Sequence, residues 1–189
     1  MNTLEVDAQL DDSVVVAHTR RWIERVVIGL GLCPFAREPF DGGRVRLVVT
    51  AARDETALLR DLETEVRRLI DADRAKLETT VLIHPHTLGE FVAYNDFLDV
   101  ADSLLDELDV AGVVQIASFH PHYQFGDASP GAIENATNRS PYPMLHLLRR
   151  SSVERAIAAF GDTSKIYMAN IATLRSLGVD ALRELIDAD

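Results

Sequence analysis

Val15, Thr19, Trp22, Ile23, Val26 and Leu30 recur at three- and four-residue steps, the spacing that lays one buried stripe along a helix. The pattern predicts a helix over residues 13–30, capped by Asp12 or Ser13. Gly29 and Gly31 should end it, and Pro34 and Pro39 should prevent a restart. The β-branched run 44–50, after Gly42-Gly43, predicts a first strand. Residues 54–72 predict a second helix, with Leu58, Leu62, Val66 and Leu69 on its buried face and a Glu63–Arg67 pair on the other. A second strand is expected at 79–83. Thr87-Leu88-Gly89-Glu90 has the form of a capping box. It should open a third helix that buries Phe91, Tyr94, Leu98, Ala101, Leu105 and Leu108 and turns Asp96, Asp99, Asp102, Asp106 and Asp109 to water. A third strand follows at 112–119.

Residues 120–143 are long and irregular, and a loop beyond about 15 residues in a compact domain usually has a function. Pro143 suits the first turn of a helix over 144–150. Ser151-Ser152-Val153-Glu154 reads as a second capping box, opening a helix to 160. Two short helices, 170–177 and 180–186, are split by Gly178.

Strands alternating with long helices predict an α/β fold: a small, mostly parallel three-stranded sheet packed by helices, with a helical C-terminal part. A ferredoxin-like α+β arrangement is the alternative. The 189 residues fit one domain over 13–189 after a mobile leader, 1–12. With 47% hydrophobic and 26% charged residues the balance is that of an ordinary globular protein. Cys33 is the one cysteine, so no internal disulfide can form. A net charge of −11 counts against binding to nucleic acid or to anionic lipid. The acidic start lacks the basic residues of a signal peptide, and no segment is long and apolar enough to span a bilayer. A cytoplasmic protein without nucleic-acid or membrane partners is expected.

The second strand runs into His84-Pro85-His86 and the third into His120-Pro121-His122. Proline holds the residue before it extended, so His84 and His120 should stand at their strand ends. If the strands are parallel, both triplets share the carboxyl edge of the sheet, where open α/β sheets bind ligands. Imidazoles shuttle protons near their own pKa and are the commonest metal ligands. His84 and His120, completed by His86, His122 or Cys33, could hold a divalent Zn, Fe or Mn ion. The plainer reading is that each His-Pro pair closes a strand and hydrogen-bonds a loop. Cys33 reads either as a small buried residue or as a ligand or nucleophile. Asn135, Asn138, Arg139 and Ser140 offer amides, a guanidinium and a hydroxyl for an anion, or else stitch their own loop. His146, in an apolar stretch, reads first as a core residue.

The segments Trp22-Ile23-Glu24, Gly31-Leu32-Cys33-Pro34-Phe35, Tyr94-Asn95-Asp96-Phe97-Leu98-Asp99, Gln115-Ile116-Ala117-Ser118-Phe119-His120-Pro121, Tyr123-Gln124-Phe125 and Thr137-Asn138-Arg139-Ser140-Pro141-Tyr142-Pro143 resemble the bacterial family called domain of unknown function 1415. The resemblance implies that His84, His120, Tyr123 and Asn138-Arg139-Ser140 lie in the family's motif blocks. It implies a site at these places and no particular chemistry.

Three functions are open at this point. The first is a metal-dependent enzyme, a metal-assisted hydrolase or oxidoreductase, acting on a small anionic molecule. In it His84 and His120 hold the metal, Asn138 and Arg139 hold the anion, and Tyr123 donates a proton or hydrogen bond. The second is a metal-free enzyme with Cys33 as nucleophile and His120 as base. The third is a module that binds an anionic metabolite without turnover.

Overall fold

A computed structural model describes residues 11–162 and 164–187. The expected leader therefore lies outside the described residues, save Asp11 and Asp12. Asp11 is the cap of helix α1 (Asp12–Trp22), its carboxylate accepting from the Ser13 N–H at 2.8 Å. The helix continues as a π-helical segment, Ile23–Ile28, and the two together bury Val15, Thr19, Trp22, Ile23, Val26 and Ile28. Contrary to expectation the chain restarts a helix soon after, α2 (Arg37–Asp41), with Pro39 inside it. Pro39 sits in the first turn, where an N–H would have no helical partner in any case.

Strand β1 (Val45–Val49), helix α3 (Glu55–Asp71), strand β2 (Thr79–Ile83), helix α4 (Phe91–Glu107) and strand β3 (Val114–Phe119) fall where the pattern places them. Asp54 caps α3, accepting from the Ala57 N–H at 2.8 Å, and Leu58, Leu62, Val66 and Leu69 are its buried stripe. Glu63 and Arg67 pair at 2.7 Å on its outer side. Neither capping box forms. Leu88 takes a left-handed φ of 55°, which breaks the turn that Thr87 would have capped, and α4 starts after Glu90 without a side-chain cap. Ser151 lies inside helix α5 (Arg150–Phe160), which leaves the preceding strand directly.

The main correction is strand β4 (Met144–Arg149), where a helix was expected. Met144, Leu145 and Leu147 are all fully buried. The only polar residues of the strand, His146 and Arg149, stand three positions apart, a spacing that fits a helix, so a central strand and a buried helix read alike. Pro143 stands just before the strand, where its missing N–H costs no ladder bond. The sheet order is β1-β2-β4-β3, with β1 and β2 parallel and β4 antiparallel to both its neighbours. The three expected strands thus run in one direction, and a fourth runs against them between β2 and β3. The class is α/β with a mixed sheet, not the wholly antiparallel ferredoxin-like order.

Side chains alternate across the strands. Val48, Leu82, Leu145 and Leu147 meet α3 and α4 in one core. Leu47, Val81, Ile83 and Met144 meet α1 and the last two helices, α6 (Ser164–Leu177) and α7 (Val179–Asp187), in the other. β2, covered on both faces, is buried at all five positions. Helix α6 begins earlier than expected, and Gly178, at φ 82°, makes the break before α7. Among the described residues no helix is long and apolar enough to cross a membrane.

Candidate functional site

Both His-Pro-His triplets leave the sheet at one edge, since β2 and β3 run the same way. His84 follows β2 and donates its N–H to Pro143 at 3.1 Å; His120 follows β3 and donates to Asn138 at 3.1 Å. Both side chains are fully buried, as is Tyr94 of α4. The Tyr94 ring lies 5.8 Å from the His84 ring, nearly parallel to it, and 5.0 Å from the His120 ring. Its hydroxyl accepts the Phe119 N–H at 3.0 Å and donates to the Met144 carbonyl at 2.7 Å.

The ring nitrogens are largely spent on the backbone. His84 Nδ1 stands 3.1 Å from the Thr87 carbonyl, which can only accept, so Nδ1 carries the proton. Its Nε2 is buried and has no partner among the described residues. Burial pushes the His84 pKa down to about 4, helped by the nearness of His120. His120 donates from Nε2 to the Leu88 carbonyl at 3.1 Å and accepts the His122 N–H at Nδ1 across 3.0 Å. Its pKa is also lowered, mainly by burial. The left-handed turn at Leu88 presents the two carbonyls that receive these imidazoles. The residues of the failed capping box serve the histidines instead.

The four histidines expected around a metal are therefore divided. His84 and His120 lie inside the fold, His86 is half-buried, and His122 is exposed. Both ring nitrogens of His120 are engaged, and among the described residues no group of three His, Cys, Asp or Glu side chains converges on a metal position. Cys33 also stands apart. It lines a cavity on a face of the sheet together with His146, and no hydrogen bond among the described residues joins it to an imidazole. Burial raises its thiol pKa, opposed by the Phe35 and Ala36 N–H groups. An activated Cys33–His120 pair does not form. Tyr123 packs its ring 5.3 Å from Phe91 and 5.0 Å from Phe125.

The long loop is tied to itself by the side chains expected to bind substrate. Asn135, fully buried, donates to Ser129 at 2.8 Å and accepts the Phe125 N–H at 3.0 Å. Asn138 donates to the Ser118 carbonyl at 3.0 Å and accepts from the Thr137 hydroxyl at 3.0 Å. Ser140 donates to the Tyr142 carbonyl at 2.6 Å. These three hold the loop against the sheet.

Arg139 differs. Its Nε donates to the Tyr123 carbonyl at 3.3 Å and its Nη2 to the Pro130 carbonyl at 2.9 Å. Both acceptors are neutral, and no carboxylate pairs with it among the described residues. Arg139 lines a cavity of about 800 Å³ between the loop, the start of α4 and helix α7, with His122, Gln124, Glu90 and Arg183 also in the wall. Burial and, after it, the Arg183 guanidinium depress the Arg139 pKa, and both residues line the same cavity. Among the described residues the one ion pair of Arg183 is a 3.8 Å contact to Asp180, both side chains being well exposed. Sequence reasoning missed Arg183, because it lies in a closing helix with no motif and meets Arg139 only through the tertiary fold.

The family model described as Protein of unknown function (DUF1415) matches residues 14–184. No curated protein and no solved structure matches the chain.

Proposed function

The chain belongs to the DUF1415 family, and from its own site we propose that it binds a small molecule bearing a carboxylate or phosphate in the cavity walled by Arg139 and Arg183. The observation that carries this reading is the pair of guanidinium groups facing one cavity. Among the described lining residues, two arginines stand against the one carboxylate of Glu90, a net positive wall in a chain of net charge −11. Holding like charges together costs energy unless an anion relieves it. A guanidinium suits that anion, because its planar fork grips two oxygens at once.

The buried histidines enter as framework. His120 fixes the backbone of His122, His84 and His120 fix the turn before α4, and Asn138 fixes the strand end to the loop. Together they set the walls from which Arg139 and His122 are presented. No step of this reading runs through a metal, because His120 has no ring nitrogen left to give.

Melting curves with inorganic phosphate and with malonate, at low and at high salt, test it. Stabilisation by either anion that fades with salt supports the site. Identical melting with both anions and with chloride would end the proposal.

A further inference from the structure

On the sheet face opposite α3 and α4, the described residues leave a cavity under helix α5. Helix α5 lies over it yet has no buried residue, and its Ile157 and Phe160 are 44% and 43% exposed. Between α5, the chain around Cys33 and the sheet lies a cavity of about 630 Å³, walled by Trp22, Phe35, Val81, Phe119 and Met144. Small-molecule sites run to roughly 300–1,000 Å³ and are mostly apolar with a few placed polar groups.

One such group is defined here. The Thr79 hydroxyl donates to the Leu147 carbonyl at 2.5 Å, so toward His146 it can only accept, and it takes the Nε2 proton at 2.7 Å. His146 Nδ1 is then a bare acceptor with no partner among the described residues. Burial holds this imidazole neutral, with a pKa of about 4, and raises the nearby Cys33 thiol as well. The carboxylates at the end of the cavity are paired. Arg74 pairs with Glu78 at 2.7 Å, and Arg44 pairs with Glu38 and with Glu78. Arg149 donates through Nη2 to the carbonyls of Leu69, Ala72 and Leu77, and its buried Nε has no partner among the described residues. Arg155, exposed at the mouth, bonds Ser152, and an ionic contact in water there is worth little.

We propose that this cavity is a second binding site, taking a mainly apolar small molecule that donates one hydrogen bond, from a hydroxyl or N–H, to Nδ1 of His146. The site is independent of the anion cavity and stands whether or not that reading holds.

Trp22 is the chain's one tryptophan and lines the cavity, which gives a direct readout, since bromine quenches indole emission only near contact. The intact chain is titrated with ω-bromoundecanol. The alcohol should quench Trp22 saturably. His146→Leu should weaken the alcohol about tenfold while keeping the same final quench. Ala156→Phe, on the cavity wall of a helix with no buried residue, should abolish the quench with melting unchanged. It carries the test should His146→Leu fail to fold. No saturable quench, an undiminished quench in Ala156→Phe, or a stable dimer that covers this face in sedimentation would each overturn the proposal.

Discussion

The Tyr94 hydroxyl donates to the Met144 carbonyl across 2.7 Å, joining helix α4 to the first residue of β4. The same oxygen accepts the Phe119 N–H, and Phe119 and Met144 are register partners at the end of the β3–β4 ladder. A side chain from a helix thus closes a sheet and also packs against both buried imidazoles.

Tyr94→Phe keeps the ring and removes the bridge. It leaves a buried N–H and a buried carbonyl short of a partner, at a cost of about 2–4 kcal/mol. For a chain of this size that lowers the melting temperature by roughly 2–4 °C per kcal/mol. A thermal melt of the variant checks it, and a change under 1 °C would contradict the bridging role.

His84 and His146 have folded-state pKa values of about 4 against an ordinary 6.5. Between those values the unfolded chain takes up protons that the folded chain refuses. Their contribution is therefore complete above pH 6.5 and is lost as pH falls toward 4. Each is worth up to about 3 kcal/mol across that window. Urea denaturation at steps from pH 7 to pH 4 should show the loss, and ring-proton NMR should show neither imidazole titrating above pH 5.

Arg139→Lys should damage two things at once. Lysine cannot serve the Tyr123 and Pro130 carbonyls together as the guanidinium does, so stability should fall by about 1–2 kcal/mol. Anion stabilisation should fall with it, since the bidentate grip is lost. A melt with and without phosphate reads both. Retention of full stability would mean that the loop carbonyls do not depend on this side chain.

With both ring nitrogens of His120 engaged, protein prepared without a histidine tag should carry well under one equivalent of zinc, iron or manganese. Elemental analysis measures this. A near-stoichiometric metal would require the turn at Leu88 to open and free the imidazole.

The helical stripes and the strand ends were readable because burial on one face leaves a period, as Leu58, Leu62, Val66 and Leu69 do along α3. The shared edge of His84 and His120 followed from strands that return in the same direction. β4 was not readable: Met144, Leu145 and Leu147 are buried on two faces, and its polar residues, His146 and Arg149, stand three apart, not two. Leu88 was not readable either, since a left-handed φ at a leucine is imposed by the carbonyls it must turn toward the histidines. The His-Pro-His spacing located the imidazoles correctly and left open where their nitrogens point, which depends on Thr87 and Leu88 from outside the strands. Asn135, Asn138 and Ser140 have the chemistry of a binding loop and spend it on the loop's own carbonyls. Arg183 lies more than forty positions after Arg139 in the chain, and only the packing of α7 brings it to the same cavity.

The central claim is that Arg139 and Arg183 together hold an anion. Arg183→Ala isolates it, because this side chain is 68% exposed and its one ion pair among the described residues is long, so removal should leave folding untouched. Calorimetric titration of the parent chain and of Arg183→Ala with inorganic phosphate and with malonate is the most direct measurement. The account predicts saturable binding of at least one anion to the parent chain, about fivefold weaker binding to the variant, and equal melting temperatures without ligand. Binding of equal strength to both proteins, or none to the parent chain, would contradict it.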